Sequence, residues 1–330
     1  MNGACDVCFQ VHKCGSTTVY NILARYALHH NLNVALPRRK YKDTEGWHTF
    51  GSFTEDRVMP LAPGQEFHLL FNHMTYNRTA LDKVMPPGTF YCAIVREPVK
   101  RFISSVYYYN FLEPPRPDVS VSDFVMRGFL SEKNRAVLES KEHPFWVYNT
   151  IALDTGMALS KVKDEQAVEE HIAKLDREMD LVMVVEHFYE SIVLLKRRAK
   201  LHLRDVIFIV ENVRKQTATH RLADSDVTVL KAWQMADFKI YDHFHRKFRE
   251  EVKKEGASFT EEVEHFKTVQ KKVEKFCLGG KNATGVLQVP SSKWTEGFSV
   301  PSCDCMLMKL CETDLQRILV RRATIRRGYS

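Results

Sequence analysis

Short apolar runs alternate with amphipathic stretches along most of the chain. Runs with strand character occupy residues 6–11, 33–36, 67–71, 89–95, 180–185 and 206–210. Between them, apolar residues at intervals of three and four predict helices at 18–30, 79–85, 98–110, 121–130, 144–152, 165–176 and 188–203. Near-continuous apolar strands that alternate with helices are typical of parallel sheets with both faces covered. The pattern therefore predicts an α/β fold with a central parallel sheet.

The C-terminal part of the chain has a different pattern. Residues 224–276 are highly charged with helical periodicity, and the tail from Gly279 is rich in Gly, Pro, Ser and Cys. We therefore expect one α/β domain with a helical end over residues 1–276. Residues 277–330 should form a Cys-containing extension that packs on this domain or trails from it.

Composition narrows the function only a little. The chain has 330 residues, of which 44% are hydrophobic and 27% charged, and these values exclude disorder, collagen and coiled coil as its main state. The net charge of +7 suits an anionic ligand but does not indicate nucleic acid. No apolar run approaches the ~20 residues of a membrane span, and no signal peptide begins at Met1.

The turn between the first strand and the first helix has the composition of an anion site. Lys13 adds a mobile positive charge, and Gly15 lets the backbone approach a ligand closely. Hydroxyl donors follow at Ser16, Thr17 and Thr18. An ordinary capped helix explains this turn equally well, because Ser and Thr are common N-caps. The turn is not the nucleotide-triphosphate loop, because its lysine precedes the Gly-Ser-Thr group.

A second unit follows the strand at 89–95. Arg96 ends this strand, Pro98 suits the first position of a helix, and Ser104 lies about two helical turns further on. Arg96 and Ser104 could both reach a phosphate at the carboxyl edge of the sheet, where an arginine offers two parallel donors. For either residue alone, an ion pair with Glu97 or a surface hydroxyl is the better interpretation.

Together, the two units resemble the carbohydrate sulfotransferases. Segments 11–23, 71–76, 185–196 and 231–244 are similar, more narrowly, to the galactose 3-O-sulfotransferases. The resemblance covers most of residues 6–276, and the tail 303–319 is more weakly similar to the glycoprotein-acting members. It implies a P-loop-like sulfotransferase fold that uses 3′-phosphoadenosine-5′-phosphosulfate as sulfuryl donor and needs no metal. The implied acceptor is the 3-hydroxyl of a terminal β-galactose on a glycolipid or glycoprotein glycan.

The resemblance also implies roles for individual residues at the nucleotide. The first loop should hold the 5′-phosphosulfate through Lys13, Cys14, Gly15, Ser16, Thr17 and Thr18. Cys14 departs from the family, where we expect Thr or another small residue, and its thiol could oxidise. Arg96 and Ser104 should hold the 3′-phosphate. Asn212 and Arg214 could contact the same phosphate, although a helix cap and a surface arginine explain them equally well.

Transfer to a sugar hydroxyl needs a base and a group that stabilises the leaving oxygen. Lys13 is the candidate for the leaving oxygen. His73 is the first candidate base, because it follows a predicted strand directly and the resemblance gives its Asn-His-Met motif a catalytic role. His12, which precedes Lys13, is the second candidate.

The family resemblance further implies a Golgi-lumenal enzyme with an N-terminal membrane anchor and a stem. Since this chain begins at the first strand, we expect a truncated or incomplete sequence rather than a soluble paralogue, and a homodimer is compatible with the resemblance. Sequons at Asn77 and Asn282 suit a lumenal enzyme. Disulfides are plausible there, in a pairing that sequence does not give, among Cys277, Cys303, Cys305 and Cys311.

Three alternatives stay open. A uronyl 2-O-type glycan sulfotransferase would also use the His73 region, but segments 185–196 and 231–244 favour the galactose group. A nucleotide kinase would need magnesium and ATP, and the missing Gly-x-x-x-x-Gly-Lys argues against it. A catalytically inactive glycan-binding paralogue is disfavoured by the intact Lys13, Arg96, Ser104 and His73. No nucleic-acid partner is expected.

Overall fold

The computed structural model describes residues 6–38, 53–109, 122, 147–209, 222–279 and 285–327. Within these ranges, four parallel strands form a sheet of order β2-β1-β3-β4. The strands are β1 (Asp6–Gln10), β2 (Leu69–Asn72), β3 (Phe90–Val95) and β4 (Leu181–Val184). The predicted α/β architecture with a central parallel sheet is therefore confirmed.

Helices surround this sheet. In the described part of the chain they are α1 (Ser16–His29), α2 (Arg78–Leu81), α3 (Pro98–Tyr108), α4 (Thr150–Asp154), α5 (Glu165–Glu178), α6 (Phe188–Arg198), α7 (Leu203–Val206), α8 (Asp224–Trp233), α9 (Met235–Glu255), α10 (Ala257–Leu278), α11 (Ser302–Met308) and α12 (Glu312–Arg326). None of them is both long and apolar enough to cross a bilayer.

Local sequence rules explain the elements that carry the site. In α1, Val19, Ile22 and Leu23 are buried, as their helical spacing predicts. At the start of α3, the Glu97 carboxylate accepts hydrogen bonds from the backbone N–H groups of Val99 (3.0 Å) and Lys100 (2.9 Å). This cap and the proline at the first helical position fix where the helix begins.

The register gathers the strand ends at one edge. Gln10 lies opposite Ile94 in the neighbouring strand, and Val95 lies opposite Val184 in the next. Because all four strands run parallel, the segments that leave their carboxyl ends emerge side by side. The sheet thus brings together residues 11–15, 73–76, 96–97 and 185–187, which lie far apart in sequence.

The C-terminal segment packs on the first helix. In α12, Arg322 donates to the Ala27 carbonyl (2.9 Å) and Arg326 to the Asn33 side chain (3.0 Å). A hairpin of β5 (Val286–Val289) and β6 (Phe298–Pro301) precedes α11. A disulfide between Cys277 and Cys305 joins the end of α10 to α11.

Sequence could not choose the pairing among the four C-terminal cysteines. Cys303 and Cys311 are exposed free thiols beside the bonded pair. Asn77 caps α2 by accepting from the Ala80 N–H (3.3 Å). The other sequon, at Asn282, lies outside the described residues.

Two predicted strands are wrong. Residues 33–36 contribute a single bridge, between Val34 and Leu69. Residues 207–209 follow α7 without joining a strand, because side chains satisfy their backbone groups instead. The buried Arg25 guanidinium donates to the Ile207 carbonyl, and the Gln270 amide bonds both the N–H (3.2 Å) and the carbonyl of Phe208.

The predicted helix at 188–203 is divided. It ends at Arg198, and Lys200 adopts a left-handed backbone with φ 55°. A second short helix, α7, then begins at Leu203. The predicted helix at 121–130 lies outside the described residues, except for Ser122.

Candidate active site

The N-terminus of α1 opens directly onto the carboxyl edge of the sheet. Gly15 caps this helix with φ 74°, a left-handed backbone that favours glycine. No side chain of the described residues caps the helix, and its first turn holds no acidic residue. The first amide groups of α1 therefore present unneutralised partial positive charge, which suits an anion.

The residues at the start of α1 differ in solvent exposure. Thr17 is exposed, Thr18 is half-buried and Ser16 is buried. Cys14 is fully buried, its amide donates to the Val11 carbonyl (3.3 Å), and burial raises the pKa of its thiol well above the usual range. A buried, protonated thiol is a poor target for oxidation, so burial protects Cys14 from the reaction that its position in the loop suggests.

Lys13 lies at the mouth of the loop. Its backbone has φ 64°, and its ammonium lies 3.3 Å from the centroid of the Tyr108 ring. Tyr108 belongs to the last turn of α3 and is 63% exposed. This cation–π contact holds the lysine side chain above the edge of the sheet instead of letting it extend into solvent.

Arg96 connects the first loop to the end of β3. Its Nη1 donates to the Lys13 carbonyl (3.3 Å), while its Nε is buried and has no partner in the described part of the chain. An unsatisfied guanidinium N–H is costly, so this donor is available for a ligand oxygen.

Ser104 lies half-buried in α3. Arg214 and Asn212 lie outside the described residues, and their predicted roles stay predictions.

The two histidines of the prediction stack on each other. The His12 and His73 ring centroids lie 4.2 Å apart with an interplanar angle of 20°. His73 is buried, and its Nδ1 lies 3.0 Å from the Gln10 carbonyl oxygen. Because a carbonyl oxygen only accepts hydrogen bonds, His73 Nδ1 carries the hydrogen and the neutral ring keeps its lone pair on Nε2.

A carboxylate that the sequence did not reveal binds the other histidine. Asp154, at the end of α4, accepts hydrogen bonds through Oδ2 from both His12 Nδ1 and the His12 backbone N–H, each at 2.8 Å. It is 2% exposed. The two residues lie 142 positions apart, and nothing in the segment around Asp154 distinguishes it from a helix-end aspartate.

A second such carboxylate lies beside α3. Glu186 accepts from the Glu97 backbone N–H through both oxygens (3.3 Å) and from the Tyr241 hydroxyl (3.3 Å). It also lies 3.8 Å from the Lys100 ammonium, which is exposed. Glu186 thus fixes the start of α3 next to Arg96, whereas sequence identified it only as part of a similar segment.

A metal centre is not evident among these side chains. Within the described ranges, no group of three or more His, Cys, Asp or Glu residues is arranged to hold a metal ion. The sheet edge offers a ligand the charges of Lys13 and Arg96 and the positive end of α1.

A family model for galactose-3-O-sulfotransferase matches residues 4–293. The chain belongs to the galactose-3-O-sulfotransferase family. Galactose-3-O-sulfotransferase 2 of Homo sapiens is 32% identical over 286 residues, which cover 84% of this chain and 70% of that protein. Galactosylceramide sulfotransferase of Mus musculus is 27% identical over 289 residues, which cover 87% of this chain and 67% of that protein.

Membership of the galactose-3-O-sulfotransferase family confirms the resemblance found in the sequence and makes the chain a sulfotransferase. The matched range contains the first loop, both stacked histidines, Arg96 and Asp154. It ends before α11 and α12, the C-terminal helices that pack on α1.

Proposed function

We propose that the protein transfers the sulfuryl group of 3′-phosphoadenosine-5′-phosphosulfate to the 3-hydroxyl of a terminal β-galactose. One observation carries the proposal: in a chain of this family, two stacked imidazoles, Lys13 and Arg96 meet at one edge of a parallel sheet. Open α/β sheets bind their ligands at this edge. The acceptor follows from relatives whose names refer to galactose and galactosylceramide.

The residues of the edge fit an anionic donor. The donor supplies an activated sulfuryl group together with phosphates that need N–H donors and positive charge. The uncapped amides at Ser16, Thr17 and Thr18 would hold the 5′-phosphosulfate, with Gly15 giving room for its approach. Arg96, whose buried Nε lacks a described partner, would hold the 3′-phosphate with Ser104 and Arg214. Cys14 would contribute to this site by packing beneath the loop in the protein core, because its thiol is buried.

Lys13 is suited to stabilise the leaving oxygen. A cation–π contact at an exposed ring contributes only about 0.5–1 kcal/mol, so the lysine can leave Tyr108 when a stronger anionic partner arrives. Its ammonium would then neutralise the charge that develops on the bridging oxygen as the bond to sulfur breaks.

His73 is the proposed base. Its Nδ1–H donates a hydrogen bond to the Gln10 carbonyl, so Nε2 is the nitrogen that can accept the proton of the sugar hydroxyl. His12 is the second candidate, because it stacks on His73 and its Nδ1 is bound in the same way, by a carboxylate.

The setting of the reaction is also a proposal. We assign the protein to the Golgi lumen as a type II membrane protein, acting on glycolipid or glycoprotein glycans and compatible with a homodimer. We keep the division into a catalytic domain, 1–276, and a Cys-containing extension, 277–330. The disulfide between Cys277 and Cys305 supports an oxidising compartment.

The role of His73 can be tested separately from nucleotide binding. We expect His73→Ala to lower kcat for sulfuryl transfer by roughly 10²–10⁴-fold, the usual contribution of a general base. Calorimetry should show unchanged affinity for the product nucleotide, adenosine 3′,5′-bisphosphate. His265→Ala, which removes a half-buried imidazole from α10, is the matched control and should keep full turnover. Near-normal turnover of His73→Ala would contradict the assignment.

A further inference from the structure

Asp154 binds both the backbone and the side chain of His12. Its Oδ2 accepts the His12 backbone N–H and the His12 ring Nδ1–H, both at 2.8 Å. A carboxylate that binds main chain and ring together fixes the side-chain torsions of the histidine as well as the loop at that position. Because a carboxylate only accepts, it also requires the hydrogen to be on Nδ1, so the neutral ring keeps its lone pair on Nε2.

Asp154 is itself held rigidly. Its backbone carbonyl accepts from the Tyr76 N–H (2.8 Å), on the segment that carries His73. Next to it, the Thr155 hydroxyl donates back to the Ile151 carbonyl (2.7 Å) and closes the end of α4. The helix end therefore links the two histidine-bearing segments, one through a side chain and the other through the backbone.

The Asp154 carboxylate is buried, so its hydrogen bonds are needed to compensate the lost hydration. Asp154 is 2% exposed, and a buried carboxylate is stable only when hydrogen bonds or positive charge compensate its lost hydration. Among the described residues, its side chain accepts hydrogen bonds from two groups of His12. A nearby buried carboxylate, Asp237, has different partners. It lies 3.5 Å from the Arg101 guanidinium and accepts a hydrogen bond from the Ala152 N–H.

We propose that Asp154 is a positioning residue for sulfuryl transfer: it holds His12 in the Nδ1–H tautomer and in the stacked orientation, and through the stack it orients His73. Both rings then direct Nε2 lone pairs to the carboxyl edge of the sheet. When one of the rings takes up the acceptor proton, the carboxylate stabilises the resulting positive charge. This inference rests on the proposed function, because the reaction in which the rings act is itself proposed.

Kinetics of two variants test the inference. Asp154→Asn keeps the shape and an acceptor oxygen but removes the charge, and we expect kcat to fall by about 10²-fold or more while the donor KM changes less than about threefold. Asp176→Asn is the matched control, because it removes the same charge from a carboxylate whose partners are His243 and Lys247 and which does not contact His12. We expect this control to keep its kcat. Wild-type kcat in Asp154→Asn, or an equal loss in Asp176→Asn, would overturn the proposal.

A spectroscopic readout separates this inference from the proposed function. In ¹⁵N-histidine-labelled protein, two-bond ¹H–¹⁵N correlations should show His12 with a protonated Nδ1, and this signature should weaken in Asp154→Asn, with His12→Asn used to assign the signal. His171, whose Nε2 bonds Thr155 instead, serves as the internal control. An Nε2–H tautomer of His12 in the unmodified protein would overturn the inference, whether or not any variant folds. Absence of sulfuryl transfer by the wild type would instead refute the proposed function and leave the tautomer result valid.

Discussion

Gly156 lies where the end of α4 meets the segment that carries His73, so an alanine there tests how the site is held together. The backbone of Gly156 has φ +92°, and a Cβ at this position would lie 2.3 Å from the Tyr76 carbonyl oxygen. Contacts of a real Cβ are essentially never below 3.0 Å, so the two segments would have to separate by at least roughly 0.7 Å. The N–H of Tyr76 is the partner of the Asp154 carbonyl, so the separation would strain that hydrogen bond too.

Two terms give the expected loss of stability for Gly156→Ala. A left-handed backbone costs an alanine roughly 1–2 kcal/mol. Forcing an extra atom into a packed contact typically costs a further 1–3 kcal/mol or so, which brings the total to about 2–5 kcal/mol. Gly88 isolates the first term, because it has φ +80° and nothing within 4 Å of an added Cβ. Gly88→Ala should therefore lose only about 1–2 kcal/mol.

Equilibrium urea unfolding of the two variants measures this difference directly. We expect Gly156→Ala to unfold at clearly lower urea than Gly88→Ala. In sulfuryl-transfer assays, Gly156→Ala should also have a reduced kcat, because the displaced helix end carries Asp154. Equal unfolding free energies for the two variants, or a stable Gly156→Ala protein with wild-type turnover, would refute the link between this contact and the site.

Three further predictions concern the nucleotide, pH and the disulfide. Arg96→Ala should weaken adenosine 3′,5′-bisphosphate binding by about 10–100-fold in calorimetry, since a charged hydrogen bond contributes roughly 1.5–3 kcal/mol, and unchanged affinity would contradict the Arg96 assignment. Burial lowers the pKa of His171 from 6.5 to about 4, so the unfolded chain takes up this proton first and stability is lost as pH falls from 6.5 to 4. Between pH 6.5 and pH 4, the unfolding free energy of the wild type should fall by up to about 3 kcal/mol more than that of His171→Phe, as measured by urea unfolding. Equal falls in the two proteins would contradict this role of His171. Cys305→Ser should lower the unfolding free energy by roughly 3–4 kcal/mol, because the lost disulfide closes a loop of 28 residues, whereas Cys303→Ser should match the wild type. Similar losses in both cysteine variants would argue against the pairing.

Local chemistry explains why the sequence predicted the first loop and the start of α3. Gly15 followed by hydroxyl residues predicts a turn into a helix, and Glu97 before Pro98 predicts the next helix start; both were found there. Because the strands before these turns are continuous apolar runs, their parallel pairing also followed from sequence. The positions of Lys13, His73 and Arg96 at one edge could be predicted for the same reason.

The rest of the site depends on contacts between distant segments. The partner of His12 lies 142 residues away, and no periodicity or motif connects the two. The apolar run at 206–210 has the pattern of a strand, but the buried Arg25 and Gln270 satisfy its backbone groups and replace a neighbouring strand. The pattern of a single segment predicts apolar runs and turns, but the side chains that bind those runs come from distant segments.

The most direct test of the proposed activity is a transfer assay with the unmodified protein. Radiolabelled 3′-phosphoadenosine-5′-phosphosulfate is incubated with a panel of β-galactosides and uronyl-containing glycans, and the position of the label on the product is determined. We predict label on the 3-hydroxyl of terminal β-galactose, formed without added metal. Label on a uronyl 2-hydroxyl, or no transfer to any galactoside by folded protein that binds the product nucleotide, would contradict the proposed function.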